Sequence, residues 1–264
     1  MKITIFTLLF TIIHAKIAVA NVLPIAHRGA SAYAPENTVS AIKKAIELGA
    51  KYIEIDVHMT KDGEVVAIHD STIDRTSSGS GKVSDLNLTK LKEIDFGSWF
   101  SSKFKDERIP TLEEVLKITG NKSVLIIELK NGHDDYPNIE KKIVNLVEKM
   151  GLGESVILKS FSFEILNRFK QLAPDLERLY CTFGGTSWVT LDNFLRFKNI
   201  FKGSSFQYLQ VHKYFLTDWI VSEARKRNIK VVVWDVHDKA TMSEMVEKGV
   251  DFIESDNPDY VINL

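Results

Sequence analysis

The 264-residue sequence has one cysteine, almost no net charge, and no apolar run long enough to cross a bilayer. A single cysteine, Cys181, cannot close a disulfide within its own chain. Its neighbours Leu179 and Tyr180 favour a buried, small-hydrophobe role over a reactive thiol. With 34 basic against 35 acidic residues the formal charge is -1, so no basic excess points to a nucleic-acid partner. No pair of cysteines or histidines has the spacing of a structural zinc site. No internal repeat or low-complexity tract is present either.

The apolar run over residues 3–13 is about half of the roughly 20 residues that a membrane-spanning helix needs, and Lys16 blocks its extension. Preceded by Lys2 and followed by the small-x-small triplet Ala18-Val19-Ala20, it predicts a cleaved signal peptide over 1–20. The expected mature chain, 21–264, is exported to the periplasm or secreted. Losing Lys2 and Lys16 takes the 34 basic residues to 32 against 35 acidic, a charge of -3.

β-rich runs alternate with helical stretches, the pattern of a parallel α/β fold. Strands are expected over 23–27, 52–57, 124–130, 156–161, 178–182, 206–211, 231–234 and 252–255, with helices over 112–118, 139–150, 163–172, 218–227 and 239–247. The first helix begins near Asn37 or Thr38 and stops at Gly49. A further β-like run, 64–69, follows its predecessor after only Lys61-Asp62-Gly63, which is too short for a parallel crossover. It is expected to be an antiparallel hairpin arm at the top of the fold. The polar segment 71–109 that follows reads as a small capping insertion.

Strand alternation places Glu54 and Asp56 on one face and Ile53, Ile55 and Val57 on the other. The same rule separates Glu128 and Lys130 from Leu125, Ile127 and Leu129. Strands of a parallel barrel are covered on both faces, so the apolar set meets the helices and the charged set turns inward. Three converging carboxylates repel one another unless a cation neutralises them, and an all-oxygen set suits one divalent ion, Ca²⁺ or Mg²⁺. Lys130 alone could equally be a salt-bridge partner of Glu128. His27, beside Arg28 and Gly29, and His69, beside Asp70, stand at element ends, where barrel enzymes place catalytic groups. Together with the acidic cluster they suggest a general acid and base around a phosphate. His14 falls in the leader, and His58, His133, His212 and His237 read as structural or exposed, His237 least firmly because it follows Trp234 and Asp235.

The ordered motifs His27-Arg28-Gly29, Pro35-Glu36-Asn37-Thr38, Glu54-Ile55-Asp56, Lys61-Asp62-Gly63 leading to His69-Asp70, the hexapeptide over 109–114 (Ile-Pro-Thr-Leu-Glu-Glu), Glu128-Leu129-Lys130 and Ser160-Phe161 resemble the glycerophosphodiester phosphodiesterase family. They span nearly the whole expected mature chain. The resemblance implies a (β/α)₈ barrel of the phosphodiesterase type and hydrolysis of deacylated phospholipid diesters to sn-glycerol 3-phosphate and an alcohol. It implies a metal on Glu54, Asp56 and Glu128, His27 and His69 as the acid–base pair, and phosphate contacts from Arg28 and Lys130. Glu36 and Asn37 would brace the first loop, and Phe161 and Trp234 would line the alcohol side. The sequence departs from the family where Asp235-Val236-His237 follows Trp234 and where Phe252 replaces a glycine. Both departures are expected near the leaving group, where they would bear on substrate preference. Two rivals remain. A lysophospholipid-cleaving phospholipase D-type enzyme would use an apolar rim, for which Phe96, Trp99, Phe100 and Phe104 are candidates. A non-catalytic binder of phosphorylated polyols would have no use for paired histidines.

Overall fold

A computed structural model describes residues 22–130, 132, 135–182, 200–201 and 205–264. The expected leader over 1–20, with His14, and His133 lie outside the described residues. Eight parallel strands close into a barrel: β1 (Leu23–Ala26), β2 (Tyr52–Met59), β4 (Val124–Leu129), β5 (Val156–Ser160), β6 (Glu177–Cys181), β7 (Tyr208–His212), β8 (Lys230–Trp234) and β9 (Phe252–Ser255). Closure comes from β1, which pairs with β9 on one side and β2 on the other. The hairpin arm, β3 (Val65–Ala67), pairs antiparallel with β2, with Val57 opposite Ala67. Gly63, at φ 85°, makes the turn between them.

Helices cover the outside of the barrel. α1 (Val39–Glu47) is capped by the Thr38 hydroxyl, which accepts from the Ala41 N–H, and Gly49 at φ 86° ends it. After α2 (Leu88–Glu93), α3 (Leu112–Thr119) opens with a full capping box between Thr111 and Glu114. α4 (Ile139–Lys149), α5 (Phe163–Leu172), α6 (Asp218–Lys226), α7 (Lys239–Glu247) and α8 (Pro258–Ile262) follow among the described residues. Among the described residues no helix is long and apolar enough to cross a membrane.

The alternation expected of β2 and β4 decides what lies inside. Ile53, Ile55, Val57, Leu125 and Ile127 pack outward with helix residues such as Ile42, Leu116 and Ile143. Ile25, Ile126, Ile157, Leu179 and Val232 fill an apolar layer inside the barrel, together with Cys181, which is buried as expected. Phe252 belongs to this layer, edge-on to Tyr52 at 4.8 Å and to Tyr208 at 5.8 Å. The expected place for Phe252 near the leaving group is therefore corrected. It stands at the first residue of β9, whereas Glu254, two residues on, lines a cavity at the C-terminal end of the strands.

Residues 71–109 carry α2, two short 3₁₀ turns and an apolar cluster of Ile73, Val83, Leu91, Phe96 and Ile109 shared with Val66 and Ile68 of the hairpin arm. Carboxylates help tie this segment down. Asp62 in the hairpin turn accepts from the Leu88 N–H, and Glu107 accepts from the Ser40 hydroxyl. Of the four aromatics expected as a possible rim, Phe96 is buried, Phe100 and Phe104 are half-buried, and Trp99 is the exposed one.

Candidate active site

The charged groups gather at the C-terminal ends of the strands, around a cavity of about 420 Å³. His27, Lys130 and Phe161 were expected to close their strands. The ladders end one residue earlier, at Ala26, Leu129 and Ser160, so each side chain keeps its inward parity while its backbone starts a loop. The cavity is lined by all the predicted site residues except Glu54: His27, Arg28, Asp56, His69, Glu128, Lys130, Phe161 and Trp234. Glu54 lies fully buried beneath them.

The first loop is shaped by its backbone. Arg28 and Gly29 both have positive φ, 56° and 81°, and a Cβ on Gly29 would come within 2.7 Å of the Ala41 backbone. This turn aims the Arg28 N–H at the Glu54 carboxylate (3.0 Å) and the Gly29 N–H at the Glu54 carbonyl (3.1 Å). Asn37, also at positive φ, donates its side-chain amide to Asp56 Oδ2 (2.9 Å) and accepts from the Asp56 N–H (3.0 Å). Glu36 accepts from Arg28 Nη1 at 2.8 Å.

The acidic cluster forms as alternation requires. Ligand oxygens of Glu54, Asp56 and Glu128 lie within 4.8 Å of one another, and all three residues are buried. Lys130 bonds both Asp56 and Glu128. A second lysine joins them: Lys159, buried, lies 3.1 Å from Glu54, 3.1 Å from Glu128 and 3.0 Å from Glu254. Burial would strip the proton from either lysine, but the facing carboxylates hold both pKa values above the usual range. Burial would also raise Asp56, yet Lys130 and Arg28 hold it well below the ordinary carboxylate range. Glu54 goes the other way, to about 7, because burial and the charges of Asp56 and Glu254 outweigh Lys159.

Each of the two expected catalytic histidines has its own carboxylate. His27 Nδ1 donates to Asp256 at 2.8 Å, and Asp256 also accepts from the Ser31 hydroxyl at 2.7 Å. Burial lowers the His27 pKa, but Asp256, Glu254 and Glu54 outweigh it and lift the value to about 9. His69 Nδ1 bonds Asp70 at 2.6 Å. Its pKa is lowered, chiefly by burial and then by the charges of Lys130 and Arg28. Without a bound ion these surroundings favour the protonated imidazole at His27 and the neutral one at His69, each held through Nδ1.

Of the other histidines, buried His58 accepts from the Tyr136 hydroxyl (2.8 Å) and donates to the His69 carbonyl (3.1 Å), which steadies His69. His237 pairs with Asp235 and lies 3.6 Å from Asp256, close to His27's own partner. His212 lies edge-on to Trp234 at 5.4 Å, and Phe161 meets the same indole at 6.0 Å, giving the cavity an aromatic side. Three buried N–H groups on the cavity wall, Arg28 Nε, Gln210 Nε2 and Trp234 Nε1, have no hydrogen-bond acceptor among the described residues. Arg28 Nε lies 3.4 Å from Asp56, near enough for charge attraction without a hydrogen bond. Such donors suit the oxygens of a polar ligand.

Lys159, Gln210, Glu254 and Asp256 escaped the sequence reading. Applying the alternation used for Glu54 and Asp56 to every strand finds Lys159, Glu254 and Asp256, since a lone charge in the run over 156–160 and acids two apart over 252–256 carry the same signal, whereas uncharged Gln210 carries none.

The residues fit a hard cation on an all-oxygen donor set, with Glu54, Asp56 and Glu128 as its ligands and buried Lys159 offsetting part of their charge. A model of the family described as glycerophosphoryl diester phosphodiesterase matches residues 27–260. A glycerophosphodiester phosphodiesterase of Caldanaerobacter subterraneus subsp. tengcongensis is 39% identical over 247 residues, covering 92% of this chain and 97% of the relative. The crystal structure of a glycerophosphodiester phosphodiesterase from Agrobacterium tumefaciens superposes with a TM-score of 0.77 at 27% identity, over 92% of this chain and 100% of the other. A phosphodiesterase of Oleispira antarctica, solved with the product sn-glycerol-3-phosphate, gives 0.77 at 28% identity over 91% and 95% of the two chains.

Proposed function

The chain belongs to the glycerophosphoryl diester phosphodiesterase family, and from that premise we propose that it hydrolyses glycerophosphodiesters to sn-glycerol 3-phosphate and an alcohol with the aid of one divalent cation, Ca²⁺ or Mg²⁺. The observation that carries this reading is the pairing, around one cavity, of two carboxylate-held histidines with the cationic side chains of Arg28, Lys130 and Lys159 and a three-carboxylate cluster whose Glu54 lies just beneath the lining.

A phosphodiester resists attack because it is negatively charged, so catalysis calls for neutralising the charge that grows on its oxygens. Glu54, Asp56 and Glu128 would hold the cation, which when bound supplies Lewis-acid charge neutralisation at the phosphoryl oxygens. Arg28 and Lys130 line the same cavity and bind the phosphate. Lys130 has flexible stem enough to leave its carboxylate partners for a phosphate oxygen. His69, neutral and fixed through Nδ1 by Asp70, takes the nucleophile's proton at Nε2. His27, protonated and held by Asp256, delivers a proton from Nε2 to the departing alkoxide. Gln210 and Trp234 offer N–H donors to ligand oxygens, and Phe161 and Trp234 give the leaving alcohol an apolar wall.

Export through the segment 1–20 belongs to the same proposal, because that segment has the charge, apolar run and cleavage triplet of a signal peptide. The test of function is turnover of glycerophosphocholine, glycerophosphoethanolamine and lysophosphatidylcholine by the purified protein. The proposal expects the first two to yield sn-glycerol 3-phosphate. Preference for lysophosphatidylcholine would indicate the phospholipase D-type alternative, and binding without turnover would indicate a phospho-polyol binder. Against the phospholipase reading stands the polar character of residues 71–109, where Phe96 is buried and Trp99 is the exposed aromatic.

A further inference from the structure

Arg75, on the segment that follows His69-Asp70, is joined to both halves of the candidate machinery. Its Nε donates to Asp70 Oδ2 at 2.7 Å, while Nη1 and Nη2 donate to Glu36 Oε2 and Oε1 at 2.7 and 2.8 Å. Neither carboxylate is a bystander. The other oxygen of Asp70 takes the His69 Nδ1 bond at 2.6 Å, and Glu36 Oε1 also accepts from Arg28 Nη1 at 2.8 Å. A chain of charge-assisted bonds thus runs His69, Asp70, Arg75, Glu36, Arg28, and among the described residues no hydrogen bond joins His69 directly to Arg28.

We propose that Arg75 is a positioning residue that sets His69 and Arg28 in one common geometry. The inference rests on the reading that His69 moves the proton and Arg28 binds the phosphate. The guanidinium is suited to this because its planar fork can hold two carboxylates at fixed angles, which the single ammonium of a lysine cannot do. The two carboxylates it grips belong to separate pieces of chain, one in the loop after β1 and one beyond the hairpin arm. The charges support the arrangement: although burial favours protonation of both, Asp70 is held down to about 2 and Glu36 is lowered, each by Arg75 and by its partner in the site. The merely structural alternative is a clasp that fastens residues 71–109 to the barrel. Arg75 is 44% exposed at its side chain, so such a clasp would contribute little to stability and nothing to turnover.

The test is steady-state kinetics with glycerophosphocholine on Arg75→Ala and Arg75→Lys, each alone and on the Asp70→Asn and Glu36→Gln backgrounds, with thermal melts alongside. Arg75→Ala should keep its melting temperature while losing roughly tenfold to a hundredfold in kcat/KM, the scale of a small misplacement of reacting groups. The loss should split between a lower kcat and a higher KM. On the Asp70→Asn background the kcat effect of Arg75→Ala should vanish, and on the Glu36→Gln background its KM effect should vanish. Arg75→Lys should recover only part of the loss, and millimolar guanidinium ion should partly rescue Arg75→Ala because the site is open to solvent. Wild-type kcat and KM in Arg75→Ala would overturn the inference. So would losses that are fully additive on both backgrounds, or that merely track a fall in melting temperature. His69→Ala separates the two levels: if it remains fully active the mechanism itself fails, and if it is inactive while Arg75→Ala is normal only this inference fails.

Discussion

Replacing Lys159 with methionine keeps the aliphatic stem and removes one buried positive charge. The side chain is only 3% exposed, and its ammonium lies within 3.1 Å of Glu54, Glu128 and Glu254. Without it those three carboxylates, with Asp56 beside them, face one another in a site that excludes most water. Removing one partner from a buried ionic network costs about 3–5 kcal/mol, because the remaining charge is left uncompensated. For a domain of this size each kcal/mol shifts the melting temperature by about 2–4 °C, so a fall of roughly 6–20 °C is expected. The measurement is thermal and urea unfolding of Lys159→Met in EDTA at pH 7. Two companions locate the cause. Lys159→Met/Glu254→Gln removes one charge of each sign and should recover much of the loss, and added Ca²⁺ should stabilise Lys159→Met more than wild type. A melting temperature within about 1 °C of wild type, or a double variant no steadier than the single one, would show that Lys159 does not offset the buried carboxylates.

His27→Ala or His69→Ala should each lower kcat by roughly 10²–10⁴-fold, the usual worth of general acid–base catalysis, and near-normal kcat in His69→Ala would remove it from the mechanism. In the ion-free protein Glu54 is raised from 4.5 to about 7, so its contribution to stability is present below pH 4.5 and is lost as pH rises to about 7. Glu54→Gln should therefore match wild type near pH 4.5 and exceed it by a few kcal/mol at pH 7.5. A gain that does not change with pH in urea titrations would contradict this. If residues 1–20 direct export, N-terminal sequencing of the native protein should begin at Asn21, whereas an intact Met1 terminus in the cytosol would refute it.

Much of the barrel was legible because its signal is local. Runs such as Ile53, Ile55 and Val57 alternating with Glu54 and Asp56 declare which face is buried, and Asp62-Gly63 forces the antiparallel arm. What was not legible depends on the strands' relative height. Phe252 and Glu254 share an inward face two residues apart, yet one belongs to the apolar layer and the other to the charged layer. That height is fixed by the stagger of the closed sheet, in which Ile25 pairs with Glu254 and Asp56 with Glu128. Arg75 was hidden for a different reason: it lies in a polar segment without periodicity, and only the fold brings it to Glu36.

We propose that the buried carboxylates of Glu54, Asp56 and Glu128 serve glycerophosphodiester hydrolysis by holding one hard cation. Release of sn-glycerol 3-phosphate from glycerophosphocholine, followed during EDTA treatment and re-addition of Ca²⁺ or Mg²⁺, tests it most directly, with elemental analysis of the same samples. EDTA should abolish turnover, one equivalent of divalent ion should restore it, and Glu128→Gln should need a higher ion concentration for the same rate. Full activity in protein that contains no divalent metal and is indifferent to EDTA would contradict it.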